Sequence, residues 1–263
     1  MNLSNENDPL HWYSYPAFYD LGFRDETQSE ANFFEAAFSK YVQGNVKTLL
    51  EPGCGSGRLV VEMAARGYDV TGFDLNADSL RYLKQRLKRR KLTADVQLAD
   101  MAEFSFGRTY DAAFNTFNTF RHLLDESSAL NHLKCVAEHV RPGGIFILGF
   151  HLLPPDADPI DCERWKARHG KTEVVYTLRV LNADSRKRIE NLRISMLVKS
   201  PQSTQKLRAE FPLRTYNAAQ LRKLLAQAPQ WQLCDVYDFW YDISEPLKLD
   251  NKIADTVLIL RRR

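Results

Sequence analysis

The chain has 263 residues, 44% of them hydrophobic and 26% charged, and 36 Lys and Arg against 33 Asp and Glu leave a formal charge of +3. These values suit one elaborated globular domain with a substantial core and give no strong reason to expect a nucleic acid or a membrane surface as partner. Four cysteines, Cys54, Cys135, Cys162 and Cys234, lie apart without a CxxC or Cys/His cluster, which argues against a metal site and a disulfide framework and for a reducing cytoplasm. The acidic start MNLSNENDPL has no signal-peptide pattern, and no stretch approaches the ~18 apolar residues of a membrane span.

Residues 9–24 are rich in aromatics, including His11, Trp12, Tyr13, Tyr15, Phe18, Tyr19 and Phe23, and read as a segment packed onto a domain. Phe34, Ala37, Phe38 and Tyr41 at helical spacing predict a helix over 31–41. The apolar run 46–50 fits a short buried strand that ends on Glu51 and a turn holding Gly53, Gly55 and Gly57. Val60, Met63 and Ala64 then mark one helix face, Gly67 stands where a left-handed residue closes a helix, and 69–73 is a second strand delivering Asp74 to its carboxyl end. In a parallel sheet such a unit holds its ligand outside the carboxyl ends of the strands, where an acid about twenty residues past the first glycine accepts from ribose hydroxyls. A dinucleotide turn would carry its third glycine where Arg58 stands. Glu51 would repel a pyrophosphate and attract an ammonium or a sulfonium.

Residues 77–92 form a helix with Leu80, Leu83 and Leu87 inward. Its basic remainder, Arg81, Lys84, Arg86 and Lys88 to Lys91, reads as a solvated face because no aromatic residues interleave it. A third strand, 95–99, ends at Asp100-Met101, and a fourth, 110–114, ends at Asn115-Thr116-Phe117-Asn118-Thr119-Phe120. A helix over 125–140 follows, with His132 and His139 expected at its surface, and Arg141-Pro142-Gly143-Gly144 leads into a fifth strand, 145–150. Alternation over 174–181, 192–198 and 207–213 predicts an inserted antiparallel sheet, with turns at 182–188 and 200–205. A helix capped by Asn217 and Gln220 and strands at 231–239 and 256–260 complete the chain.

The stretch Glu51-Pro52-Gly53-Cys54-Gly55-Ser56-Gly57 resembles the first motif of the class I S-adenosylmethionine-dependent methyltransferases: acid, any residue, Gly-x-Gly-x-Gly. The likeness runs from 46 to 150. It implies an α/β fold, a doubly wound, mostly parallel seven-stranded Rossmann-like sheet with an antiparallel edge hairpin, and S-adenosyl-L-methionine as cofactor. Tyr19-Asp20 matches the Tyr-Asp pair of an N-terminal lid. By resemblance Asp100 meets the adenine amino group and the Met101 backbone N–H meets the ring. The implied cofactor set is Tyr19, Glu51, Gly53, Cys54, Gly55, Gly57, Arg58, Asp74, Leu75, Asp100, Met101 and Asn115. Beyond the fifth strand the likeness narrows to a small-molecule branch with an inserted sheet, and Phe211-Pro212-Leu213-Arg214-Thr215-Tyr216 is similar to the F-x-x-R-x-Y stretch where that insertion rejoins the core. The chain thus divides into 1–160, a lid and the cofactor half of the core; 161–213, the inserted sheet as substrate roof; and 214–263, the return to the core.

In-line methyl transfer to a nitrogen or oxygen of a small molecule needs alignment more than a catalytic triad. The acceptor is expected above the fourth strand, near Asn115 and Asn118, bounded by His122, His151 and the inserted sheet, with Asp238 and Tyr241 as a far wall. His122, Arg214 and Tyr216 are the catalytic candidates, although each histidine alone reads more readily as structural. Arg214 has two readings: it grips an anionic group of the acceptor, or it pairs with a core carboxylate. Nucleic-acid amino-methyltransferases carry an N-P-P-Y type sequence after the fourth strand, whereas here Thr116 and Phe117 follow Asn115, which lowers nucleic acid as a substrate. A nucleotide-dependent oxidoreductase and a non-catalytic methyltransferase-like binding protein stay open beside this reading, as does the oligomeric state.

Overall fold

The computed structural model describes residues 15–263, so the polar start and His11, Trp12 and Tyr13 lie outside the described residues. The chain runs through α1 (Pro16–Phe23), α2 (Thr27–Tyr41), β1 (Thr48–Pro52), α3 (Arg58–Ala65), β2 (Asp69–Asp74), α4 (Ala77–Arg90), β3 (Asp95–Leu98), β4 (Tyr110–Asn115), α5 (Glu126–His139) and β5 (Val140–His151). It continues through β6 (Cys162–His169), β7 (Thr172–Asp184), β8 (Ile189–Lys199), β9 (Thr204–Arg214), α6 (Ala218–Ala226), β10 (Trp231–Tyr237) and β11 (Asp255–Arg262).

Seven strands form one sheet in the order β10-β11-β5-β4-β1-β2-β3. The five from β5 to β3 are parallel, and β11 and β10 close the edge antiparallel. The chain winds outward from β1 to β3 and then crosses to β4 and β5, so the topology reverses between β1 and β4. That reversal opens a crevice beyond their carboxyl ends.

Both faces of the sheet are covered, which is why its strands read as apolar runs. Successive residues send side chains to opposite sides. In β5, Phe146 and Leu148 join α5 and α6 through Leu133, Val136 and Leu221, while Ile145 and Ile147 join α2, α3 and α4 through Phe34, Leu59 and Leu83. Asn76 caps α4 by accepting from Ser79 N–H, and Asn217 and Gln220 form a reciprocal capping box on α6.

The four-stranded antiparallel sheet follows the order β6-β7-β8-β9. In β8 buried and half-buried residues alternate along almost the whole strand, and its inner face packs Val174, Tyr176, Ile194, Met196 and Phe211 against Leu21 of α1. The sheet has one strand more than the alternation predicted. Strand β6 is an edge in which half of the residues are charged, with Trp165 and Ala167 supplying its apolar face. Its hairpin turns are also tighter than predicted, because β7 runs to Asp184 and β9 starts at Thr204. The expectation that His132 and His139 lie at the surface is overturned. Both are buried: His132 Nδ1 lies 2.8 Å from the Met101 carbonyl, and His139 Nδ1 lies 2.7 Å from the Cys135 carbonyl while its Nε2 accepts from Phe106 N–H. Burial pushes the His132 pKa down to about 4, so it packs as a neutral ring.

Candidate active site

A cavity of about 380 Å³ opens at the carboxyl ends of β1, β2 and β4. Its floor is the turn from Gly53 to Ser56. Asp74, at the end of β2, fixes this turn through Oδ2, which accepts from Gly55 N–H at 2.8 Å, while Oδ1 accepts from Asn76 N–H at 2.7 Å. The two oxygens offer about four acceptor sites, and backbone donors at Gly55, Leu75 and Asn76 act on the carboxylate, which leaves acceptor capacity for a ligand. Burial raises the Asp74 pKa, against the pull of those backbone donors.

Glu51 enters the cavity from the end of β1 and is buried, with Oε2 lacking any hydrogen-bond partner. Burial raises its pKa well above the ordinary value, with Arg58 opposing and Glu30 and Asp74 reinforcing the rise. Burial also pushes the neighbouring Cys54 thiol well up, which leaves it a protonated wall atom. A Cβ at Gly55, where φ is +52°, would meet nothing within 4 Å, so this backbone faces open space. Gly57 differs. It begins α3 in the left-handed region at φ +69°, and a Cβ there would lie 2.2 Å from Leu83. Gly57 is absent from the cavity wall and serves the packing beneath the turn.

Arg58, which stands where a dinucleotide turn carries glycine, is engaged by α2 and by the segment after β4. Its guanidinium pairs with fully buried Glu30 of α2, donates to Thr27 Oγ1 at 3.1 Å and lies over the Phe117 ring. Tyr241 O–H donates to the other oxygen of Glu30 at 3.2 Å. Removing one member of such a pair would strand a buried charge.

The far side of the cavity comes from the segment after β4. Phe117 and Asn118 both have positive φ, +56° and +64°, a costly conformation outside glycine. A short 3₁₀ turn, Thr119–His122, then presents Thr119 and His122 to the cavity. Asn115 sits just below: it donates to the Pro52 carbonyl at 3.0 Å, is buried, and has no partner at Oδ1. Phe117 lies parallel to Phe239, which in turn meets His151 edge-on. His151 Nδ1 lies 2.7 Å from Asp255.

Tyr19 of α1 closes the top of the cavity, and burial raises its pKa. The helix carrying it is pinned on two sides. Tyr176 O–H donates to the Phe18 carbonyl at 2.6 Å and Trp165 Nε1 to the Gly22 carbonyl at 3.2 Å. Asp20 turns away from the cavity and pairs with Arg86 at 2.6 Å and Arg24 at 3.2 Å.

The cavity therefore brings together Tyr19, Glu51, Gly53, Cys54, Gly55, Arg58, Asp74, Leu75, Met101 and His122. It does not bring in Asp100, an exposed residue whose carboxylate accepts from Ala102 N–H at 2.8 Å. Arg214 and Tyr216 also lie elsewhere. Arg214 donates to the Leu124 carbonyl at 2.6 Å and approaches Glu126 at 3.5 Å. Tyr216 is buried between Phe120 and Phe150. Sequence reasoning missed Ser56, Leu59, Asn76, Ser79, Thr116, Phe117 and Thr119 on the wall, and Glu30 behind it. Ser56 and Asn76 adjoin the glycine turn and the acid, and that adjacency was the available signal.

Residues 49–144 match the model of a methyltransferase domain family, Methyltransf_25. A putative methyltransferase of Geobacillus sp. (strain WCH70) is 24% identical over 120 residues, 46% of this chain and 49% of its own length. A Streptomyces fradiae protein named dTDP-3-amino-3,6-dideoxy-alpha-D-glucopyranose N,N-dimethyltransferase is 30% identical over 112 residues, 43% of this chain and 42% of that protein. The chain thus spans about half the length, or less, of these curated relatives. Among solved structures, an S-adenosylmethionine-dependent methyltransferase from Clostridium acetobutylicum superposes with a TM-score of 0.77 at 16% identity, covering 95% of this chain and 98% of that one. At that identity the likeness establishes the fold.

Proposed function

We propose that this chain, a class I methyltransferase by fold and by its domain at 49–144, transfers a methyl group from S-adenosylmethionine to a nitrogen or oxygen of a small molecule. The observation that carries the reading is the set of unmet valences around one cavity: the orphaned oxygen of Glu51, the open space over Gly55 and the remaining acceptor capacity of Asp74. A ligand with ammonium, sulfonium and ribose groups satisfies these together, whereas a pyrophosphate would meet the Glu51 carboxylate. When bound, the cofactor supplies a methyl group already activated on a positively charged sulfur.

The protein's share is alignment and dryness. Glu51 faces the cationic end, Asp74 accepts from the ribose hydroxyls while holding the Gly55 turn, and Leu75, Ala99 and Met101 form the wall on the adenine side. Tyr19 covers the cavity and keeps water from it. The acceptor enters over β4, between the aromatic rings of Phe23, Phe117 and Phe239 and beneath the inserted sheet, which roofs it. His122 is the titratable side chain that the 3₁₀ turn presents to the cavity, and it takes the proton the acceptor gives up. The name of the Streptomyces relative, an N,N-dimethyltransferase of a dTDP-linked amino sugar, supports a small polar acceptor of this kind. Free thiols at Cys54, Cys135, Cys162 and Cys234 suit a reducing cytoplasm, and among the described residues no helix is long and apolar enough to cross a membrane.

Thermal denaturation with S-adenosylmethionine, S-adenosylhomocysteine and nicotinamide dinucleotides tests the cofactor. At a hundredfold excess over its dissociation constant the true ligand stabilises by about 2.7 kcal/mol. A shift with the dinucleotides alone overturns the reading.

A further inference from the structure

A second and larger cleft, about 770 Å³, lies on the other side of the lid helix and shares only Arg58 with the cofactor cavity. Its walls are α1 and the turn after it, the outer face of α4, and the β6–β7 hairpin tip at His169 and Thr172. We propose that this cleft is a binding site for a small molecule bearing a diphosphate group. The inference stands apart from the methyl-transfer reading and does not depend on Arg58, the one wall residue the two spaces share.

The argument rests on charge and shape. Five arginines line the cleft, Arg24, Arg58, Arg86, Arg89 and Arg90, against three carboxylates, Asp20, Asp25 and Glu62. Asp20 is already shared by Arg86 and Arg24, Glu62 is held by Arg66, and Arg58 is neutralised by Glu30 behind the wall. Arg89 and Arg90 have neither a hydrogen bond nor an ion pair among the described residues, so only Asp25 faces them as an unmatched acid. The surplus is positive, and it is concentrated. Arg86, Arg89 and Arg90 stand at i, i+3 and i+4 of one helix, a spacing that puts their side chains on neighbouring positions of one face, about 5–6 Å apart at Cβ.

Like charges so placed repel and cost stability, and an anion between them reverses the sign. Two features distinguish this cleft from an ordinary solvated helix face. The lid helix and the hairpin wall it in, making the surface concave where a solvated face is convex. Its floor is preorganised too: Arg86 is largely buried, fixed by Asp20 at 2.6 Å and by its bond to the Ser56 carbonyl at 3.2 Å. A guanidinium has five donors, and those that Arg86 has left, with the forks of Arg89 and Arg90, match the paired phosphate oxygens of a diphosphate. A single carboxylate or sulfate would fill one fork only.

The test is calorimetry on the full chain at fixed ionic strength, titrating inorganic pyrophosphate and, separately, uridine diphosphate. Saturable binding is expected, weakened at least about tenfold in the R89S/R90S variant, whose affinity for S-adenosylhomocysteine stays within about twofold because neither arginine touches the cofactor cavity. Equal affinity for the two ligands identifies the diphosphate itself as what is recognised. Tighter binding of uridine diphosphate identifies a nucleotide, with Tyr82 and Phe18 as the ring surfaces in the cleft. The proposal is overturned by an absence of saturable binding, by undiminished binding in R89S/R90S, by sulfate binding as tightly as pyrophosphate, or by competition from S-adenosylhomocysteine, which would move the site to the other cavity.

Discussion

Glu51→Gln should remove a pH dependence from cofactor binding. In the folded chain the Glu51 carboxyl is buried with one oxygen unpartnered, and burial, outweighing Arg58 beside it, raises its pKa well above the ordinary value. The ligand-free protein therefore holds that proton to a higher pH than an ordinary carboxyl does. A raised carboxyl contributes stability that is present below its unfolded pKa and is lost as pH climbs through the folded value. A ligand that brings an ammonium and a sulfonium to this oxygen favours the carboxylate instead, so binding expels the proton. Between the pKa of Glu51 in the complex and its raised value in the free protein, affinity should grow by up to about tenfold per pH unit, ~1.4 kcal/mol. Titration calorimetry with S-adenosylmethionine over roughly pH 5 to 8, in buffers of differing ionisation enthalpy, reads both the slope and the released proton. The Gln variant should bind more weakly and without that slope. A wild-type affinity independent of pH, or a slope that survives in Glu51→Gln, refutes the assignment of Glu51 to the cationic end.

Two glycines of one turn should separate cleanly. Gly57→Ala meets Leu83 and a left-handed φ and should lose about 2–4 kcal/mol in urea denaturation, whereas Gly55→Val projects into open space and should weaken S-adenosylmethionine binding more than tenfold (~1.4 kcal/mol or more) at a stability cost of about 1–2 kcal/mol. Equal losses of stability would mean that both residues serve only the turn. Asp111 ties β4 to β1 and β5: despite partial burial, bonds from the Lys47 and Thr48 N–H groups and from Arg141 hold its pKa down at about 2. The contribution of this depressed carboxyl is present above its unfolded pKa and is lost as pH falls through the folded value, so Asp111→Asn should cost about 2 kcal/mol at neutral pH and progressively less as denaturation curves are taken toward pH 2. A cost that does not shrink in acid would contradict the charge-based account.

The core was legible because each of its signals is local. A strand buried on both faces must be apolar throughout, a glycine turn before a helix must use left-handed backbone, and an acid at the next strand's end must face the same crevice. None of these depends on a distant residue. Strand β6 escaped because an edge strand has no such obligation: its neighbours in sequence are charged, and only Trp165 and Ala167 reveal the inner face. His132 and His139 were misread for a related reason. A histidine within a helix looks polar on periodicity alone, yet the Cys135 carbonyl and the Phe106 N–H satisfy the His139 ring inside the protein, and the Met101 carbonyl meets Nδ1 of His132.

What the sequence could not yield in the site depends on pairs far apart in the chain. Arg58 and Glu30 lie 28 residues apart, and the misfit of an arginine at a glycine position was their only trace. The lid shows the same limit in one dipeptide. Tyr19 and Asp20 were read as a unit facing the cofactor, but consecutive residues of a helix point about 100° apart, and here Tyr19 covers the cavity while Asp20 grips Arg86 on α4. The pair therefore divides its work. The aromatic ring lines the cavity, and the carboxylate ties the helix that carries it to α4 at the rim of the arginine cleft. Arg214 follows the same logic at the other end of the inserted sheet. Its guanidinium holds the Leu124 carbonyl and Glu126, and Arg121 donates to its carbonyl while pairing with Glu190 of β8, which fixes the sheet to the segment that presents His122. Charged residues at both junctions set the position of the inserted sheet, and the cavity wall is left to Glu51, Asp74 and the backbone of the glycine turn.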